Sequence, residues 1–208
     1  MVTGVTGAGK STTLNAIFDK EIATVGRGVD PETMELDSYL LNESFRLWDT
    51  PGLGHGKQKD LEHSEKLISL LFKDYDNIYG FIDLVLVIVE GSNRDMGTSY
   101  KLLNNIIVPN FQKERILVAV NQADFAMKGR YWNENNNKPE QPLFEFLMKK
   151  VESIQKGVRE STGIEIKKPI FYSAEYGYNI DKLLDLLIDN MPKEKRRMPI
   201  VDGIALRG

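Results

Sequence analysis

The chain has 208 residues, 41% of them apolar and 27% charged, a formal net charge of −3 and no cysteine. That length suffices for one α/β domain with a sizeable core, and the slightly acidic balance excludes a global basic field for gripping nucleic acid. The lack of cysteine excludes disulfides, thiolate catalysis and cysteine-based zinc sites, and it suits a reducing, cytoplasmic setting.

Only Met1, Val2 and Thr3 stand before Gly4. A strand of about five residues is usual ahead of a glycine-rich loop, so a short or truncated first strand is expected. The chain enters the loop directly, so no signal peptide is expected. The loop itself reads Gly4-Val5-Thr6-Gly7-Ala8-Gly9-Lys10-Ser11. Glycines at these positions let successive backbone N–H groups face a triphosphate, and the following helix adds its positive end. Lys10 would reach the β- and γ-phosphates, and the Ser11 hydroxyl would bind Mg²⁺. Gly4, Thr6, Gly7, Ala8, Gly9, Lys10, Ser11 and Thr12 are the candidate phosphate contacts. Thr12, Thr13 and Leu14 run on into a helix with Ile17 and Phe18 facing inward.

Val25 to Pro31 is glycine-rich and reads as a flexible loop. Thr33 follows it and is the candidate switch threonine, able to reach Mg²⁺ and the γ-phosphate, with Thr24 as rival. Met34 to Leu41 and Phe45 to Trp48 read as strands joined at Asn42-Glu43. Trp48-Asp49-Thr50-Pro51-Gly52 ends the second strand. Asp49 would support Mg²⁺ through water, and Gly52 would offer its N–H to the γ-phosphate. Leu53 to Lys59 is a second mobile loop. His55 in that loop and Arg27 in the first are candidate water-orienting and charge-stabilising groups, although exposed loop residues are more often bystanders.

Asp60 to Tyr75 has helical apolar spacing, and His63 within it reads as part of a solvated polar face. Leu84 to Val89 is a buried strand, too short to cross a bilayer. Thr98 to Ile107 reads as a helix stopping before Pro109, and Ile116 to Val120 as another buried strand. Asn121-Gln122-Ala123-Asp124 follows it directly. The Asp124 carboxylate would accept from guanine N1–H and the exocyclic amine, a donor pair adenine lacks. Asn121 would bridge base and phosphate loop. Residues 128–142 read as a surface insertion, where Arg130, Tyr131 and Trp132 either meet a partner or anchor the insertion. Leu143 to Glu160 is a helix, Ile170 to Tyr172 a short strand, and Ile180 to Asn190 a last helix. Ser173 and Ala174, just after that strand, are placed to contact the guanine O6 through the backbone. Lys193, Lys195, Arg196 and Arg197 read as a solvated basic tail, with RNA phosphates as the alternative ligand. The domain expectation is therefore a body over residues 1–192 and a tail over 193–208. Alternating strands and helices predict a three-layer α/β fold with ligands at the carboxyl ends of the strands.

In order, GVTGAGKS, WDTPG, NQAD and YSA resemble the GTPase domain of the Era/TrmE-like, ribosome-associated and septin-like branch. Within it, GVDPET, WDTPGLG, GTSY, NQADFAMKGRYW and YSA look like the bacterial, often prophage-encoded, YfjP/YeeP-type GTPases, a 50S ribosome-binding GTPase-like family. The resemblance implies a small-GTPase-like G domain with a mostly parallel sheet and one antiparallel strand. It implies GTP/GDP and Mg²⁺ as ligands and hydrolysis of GTP to GDP and phosphate. Lys10, Thr33 and Gly52 would serve catalysis; Ser11, Thr33 and Asp49 the metal; Asn121, Gln122, Asp124, Ser173 and Ala174 the base. A ribosome, RNA or protein partner follows by analogy alone. The competing reading is a GTP-dependent assembly module that forms a homodimer and hydrolyses negligibly. Three positions depart from the family pattern. Gln122 stands where a Lys is usual, Leu53 replaces a water-orienting Gln, and Gly7 replaces the Asn that supports a catalytic potassium ion.

Overall fold

The computed structural model describes residues 1–18, 27–29, 37–42, 45–50, 52–54, 56–92 and 96–198. Thr24, Thr33, Pro51 and His55 lie outside them, as does the side chain of Arg27.

The first strand, β1, covers Val2–Gly4, and Met1 N continues its ladder by donating to Leu84 O at 2.8 Å. Helix α1 (Lys10–Phe18) follows. Strands β2 (Arg27–Val29), β3 (Asp37–Asn42) and β4 (Phe45–Trp48) come next. Helix α2 is Lys57–Phe72, and a small antiparallel hairpin joins β5 (Asp74–Tyr75) to β6 (Tyr79–Gly80). Strand β7 (Val85–Glu90) leads to α3 (Gly97–Lys101), a π-helical stretch Leu102–Ile107 and α4 (Val108–Asn110). Strand β8 (Ile116–Asn121) ends in a 3₁₀ turn, Ala123–Phe125. The hairpin β9 (Trp132–Asn133) and β10 (Lys138–Pro139), α5 (Gln141–Thr162), β11 (Ile170–Phe171) and α6 (Ile180–Asp189) complete the order.

A parallel sheet runs β1-β7-β8-β11. The antiparallel sheet β2-β3-β4 meets it through a parallel bridge between Val2 and Asp49. β3 therefore runs against its neighbours in an otherwise parallel array, as expected. Alternate side chains of the central strands feed two cores. Val85, Val87, Val89, Val118 and Val120 pack with α2, α5 and the π-helical stretch. Leu84, Leu86, Ile88, Leu117 and Ala119 pack with α1 and α6. Both faces are covered, which is the three-layer arrangement.

Three local expectations change, and one open alternative is decided. β2 forms within the stretch read as loop, because an edge partner for β3 needs only main-chain groups. Helix α2 ends before Asp74 because Asp76 and Asn77 both take φ of 56°, a left-handed turn that Asp and Asn tolerate best. The helix expected to stop before Pro109 continues to Asn110. Its π-helical stretch moves the bonding to i→i+5, and Pro109, with no N–H to donate, falls just after that stretch, in α4. Trp132 anchors the insertion, its ring lying 5.3 Å from Tyr176 and 5.4 Å from Tyr178.

The basic segment after α6 is not uniformly solvated. Arg196 is 4% exposed, and its guanidinium donates to Ile82 O at 2.9 Å and to Leu71 O, over the Phe111 ring. Gly80 N donates to Arg196 O, and Met198 N to Ile78 O, so the segment pairs with the β5–β6 hairpin. Leu71 sits in the last turn of α2, whose final carbonyls lack partners within the helix. Burial presses the Arg196 pKa down, Arg115 adds to this, and Asp83 opposes it. Replacing Arg196 by Ala leaves two buried carbonyls unpaired and a cavity. The expected loss of unfolding free energy is about 2–4 kcal/mol. Arg197→Ala, at an exposed position, is expected to stay within about 0.5 kcal/mol; urea denaturation of both variants checks this.

Candidate functional site

Because β1, β7, β8 and β11 are parallel, their carboxyl ends open on one edge. The loops that leave Gly4, Asn121 and Phe171 meet there. The turn from β1 into α1 places Gly7 at φ 86° and Gly9 at φ 81°. A Cβ on Gly9 would lie 2.3 Å from Asn121 Nδ2, so the close approach of these two loops requires glycine. Thr13 donates to Gly9 O at 2.7 Å and meets the Tyr172 hydroxyl at 2.8 Å, buried. Burial pushes the Tyr172 phenol up, so it stays a neutral hydroxyl beneath the loop.

Lys10 Nζ lies 3.4 Å from Gly4 O and 3.3 Å from Val5 O. Its pKa is lowered by burial, with Asp49 partly restoring it. A partly desolvated ammonium against carbonyls alone leaves room for an anion to complete its shell. Ser11 Oγ donates to Asp49 Oδ2 at 3.1 Å, which brings the two expected metal-side groups together. Thr50 fixes the turn after Asp49 by donating to Val2 O at 2.9 Å. Gly52 lies against Lys10: a Cβ there would be 2.6 Å from Nζ and 2.8 Å from Thr6 N. Leu53 O accepts from Thr6 N at 2.6 Å, while the Leu53 side chain is 4% exposed and packs into the core.

Asn121 is 2% exposed and uses its whole amide. Nδ2 donates to Ala8 O at 2.9 Å and Gly9 O at 3.5 Å, and Oδ1 accepts from Ala174 N at 3.0 Å. The Ala174 N–H expected to face a base is therefore engaged by Asn121, and the Ser173 N–H is held by Tyr178 O. Gln122, in the left-handed region at φ 60°, donates from Nε2 to Gly7 O at 2.8 Å. It thus buttresses the phosphate loop from the position where Lys is usual, without charge. Asp124 Oδ1 is buried with no hydrogen-bond partner among the described residues. A carboxylate oxygen in that state is costly, and a ligand donor would relieve it.

The sequence reading missed two contacts. Tyr172 lies in an apolar strand, and nothing in its spacing marks a hydroxyl beneath Thr13. His63, read as solvated, is half-buried and its Nδ1 lies 2.8 Å from Gly52 O. His63 stands three positions after Asp60, a spacing that puts both on one helix face, and that face turns toward the loop.

If Asn121 is the tie between loops, its loss shows without any ligand. Asn121→Ala is expected to lower the unfolding free energy by about 2–3 kcal/mol, since the Ala174 N–H and the Ala8 carbonyl lose buried partners. Urea denaturation in nucleotide-free buffer measures it.

Comparison with known proteins extends the geometry. Residues 1–122 match the family model of the 50S ribosome-binding GTPases. A probable GTP-binding protein EngB from Thermotoga petrophila is 33% identical over 88 residues, which is 42% of this chain and 44% of that protein. The match thus spans less than half the length of that relative. The G domain of the T. maritima FeoB iron transporter aligns over 92% of this chain and 96% of its own, with a TM-score of 0.53 and 18% identity. A Sulfolobus solfataricus GTP-binding protein in complex with GDP aligns over 91% of this chain and 51% of its own, with a TM-score of 0.56 and 15% identity. At those identities the structures speak for the fold. The family model covers more than half of the chain and takes in both the phosphate loop and Asn121, so this chain belongs to the family of 50S ribosome-binding GTPases.

Proposed function

We propose that this chain binds GTP and GDP with Mg²⁺, hydrolyses GTP to GDP and phosphate, and works as a nucleotide-dependent switch. The observation that carries the reading is Asp124. Its buried, unpartnered Oδ1 stands two residues past the loop-tying Asn121's neighbour Gln122, beside the phosphate cradle. Guanine supplies the N–H donors such an oxygen lacks, and adenine does not.

In this reading residues 1–192 are the G domain, and the segment after them is an extension pinned by Arg196. Gly7, Ala8 and Gly9 turn backbone N–H groups toward phosphate, and Lys10 neutralises it. Ser11 would hold Mg²⁺ directly and Asp49 through water. Mg²⁺ keeps several waters and takes other ligands from phosphates, so two protein side chains suffice. Thr33 keeps its proposed place as switch threonine. Gly52 would sense the γ-phosphate, since its Cα already abuts the Lys10 ammonium. A ribosomal partner is proposed from the family's description alone. The Era/TrmE-like and YfjP/YeeP-type subfamily assignment rests on the motif strings.

The buried Leu53 side chain favours a second reading, an assembly module in which GTP binding drives homodimerisation. Its chain points into the core and cannot orient an attacking water. Intrinsic turnover is therefore expected below about 10⁻² s⁻¹. Phosphate release followed with dimer formation separates the readings: dimer without release selects the assembly module.

Calorimetry with GTP, GDP and ATP tests the base assignment. The unaltered chain is expected to prefer GTP over ATP at least about tenfold, or 1.4 kcal/mol. Asp124→Asn is expected to erase most of that preference while the fold persists. Equal affinity for GTP and ATP in the unaltered chain would overturn the reading.

A further inference from the structure

The loop that follows Asp49 is held from outside the phosphate cradle. His63 Nδ1 sits 2.8 Å from Gly52 O. A carbonyl oxygen only accepts, so Nδ1 carries the proton and donates. One turn earlier on the same helix, Asp60 Oδ1 accepts from Gly54 N at 2.8 Å. Between the two, Leu53 O accepts from Thr6 N at 2.6 Å. Gly52, Leu53 and Gly54 are thus tied alternately to α2, to the phosphate loop and to α2 again.

Gly52 is the residue where such ties matter. A Cβ there would run into Lys10 Nζ and Thr6 N, so no side chain fits. A glycine rotates freely about both backbone bonds, so its own position does not fix the peptide that follows it. The peptide plane beyond Gly52 is aimed by whatever holds its carbonyl, and that group is His63.

We infer that His63 is a positioning residue for triphosphate recognition. By holding the Gly52 carbonyl, it fixes the Gly52–Leu53 peptide beside Lys10 and Thr6, at the place of the γ-phosphate, and so sets preference for GTP over GDP. The inference rests on the GTP-binding reading above. It concerns a residue outside the phosphate loop, the Asp49 turn and the base loop.

The test uses fluorescent GTP and GDP analogues on the whole chain, comparing the unaltered protein with His63→Leu and His63→Asn. Asn is chosen because its Nδ2 can stand where Nδ1 stands, and so can restore the donor. His63→Leu is expected to weaken the non-hydrolysable GTP analogue about tenfold and leave GDP within about twofold, because GDP has no γ-phosphate for Gly52 to meet. His63→Asn is expected to recover most of the GTP affinity. A merely structural role for His63 would weaken both nucleotides alike, and that result overturns the inference. An unchanged GTP-to-GDP ratio in His63→Leu also overturns it, while the GTP-binding reading stands. Failure of the unaltered chain to bind either nucleotide overturns that reading, and this inference with it.

Discussion

Asn121 makes three hydrogen bonds with one amide group, two of them fully buried, and the shape of the site depends on them. It stands at the end of β8, a strand buried along its whole length. From there it holds the phosphate loop on one side and the loop after β11 on the other. Each of those loops also sends residues into the same core cluster, Val5 and Ala8 from one and Tyr172 and Ala174 from the other. A primary amide suits this task because it offers donors and an acceptor without charge. Gln122, the next residue, repeats the motion toward Gly7 O. The candidate base loop and the phosphate loop are therefore tied together, mounted on the central strand.

Much of this was legible in the sequence because it depends on short-range rules. The glycine spacing and Lys10-Ser11 specify the phosphate loop, and the apolar runs Leu84 to Val89 and Ile116 to Val120 specify doubly buried strands. Leu143, Leu147, Val151, Ile154 and Val158 repeat at helical spacing, and all five are buried on α5. What escaped depends on contacts between segments far apart. The Tyr172 hydroxyl meets Thr13 across 159 positions, and Arg196 meets Leu71 across 125. A local reading sees an apolar strand in the first case and a run of cations in the second. Arg196 differs from its neighbours only in which way the segment turns when it pairs with the β5–β6 hairpin. His63 was hidden for a similar reason: its helix face is polar, but polar faces can turn to a loop as well as to water.

The departures from the family pattern have separable consequences. Gln122 keeps the buttress on the phosphate loop and gives up a charge. Leu53 gives up a polar tip and gains a place in the core, where it packs with Trp48, Leu67 and Leu71 in one cluster. The loop that should move with the nucleotide thus has an apolar foot in the body of the protein. Displacing it exposes that side chain to water, at a cost of about 1.5–3 kcal/mol if exposure is complete. Motion of this loop is therefore coupled to packing beneath it.

Helix α2 acquires a mechanical meaning from the Arg196 contact. Its first half touches the loop at Gly52 through His63, and its last turn is gripped at Leu71 by the guanidinium. About two helical turns, roughly 12 Å, separate the grips. A helical rod held at two points transmits displacement between them. A shift of α2 that begins beside Gly52 is therefore resisted at Leu71 by the segment around Arg196.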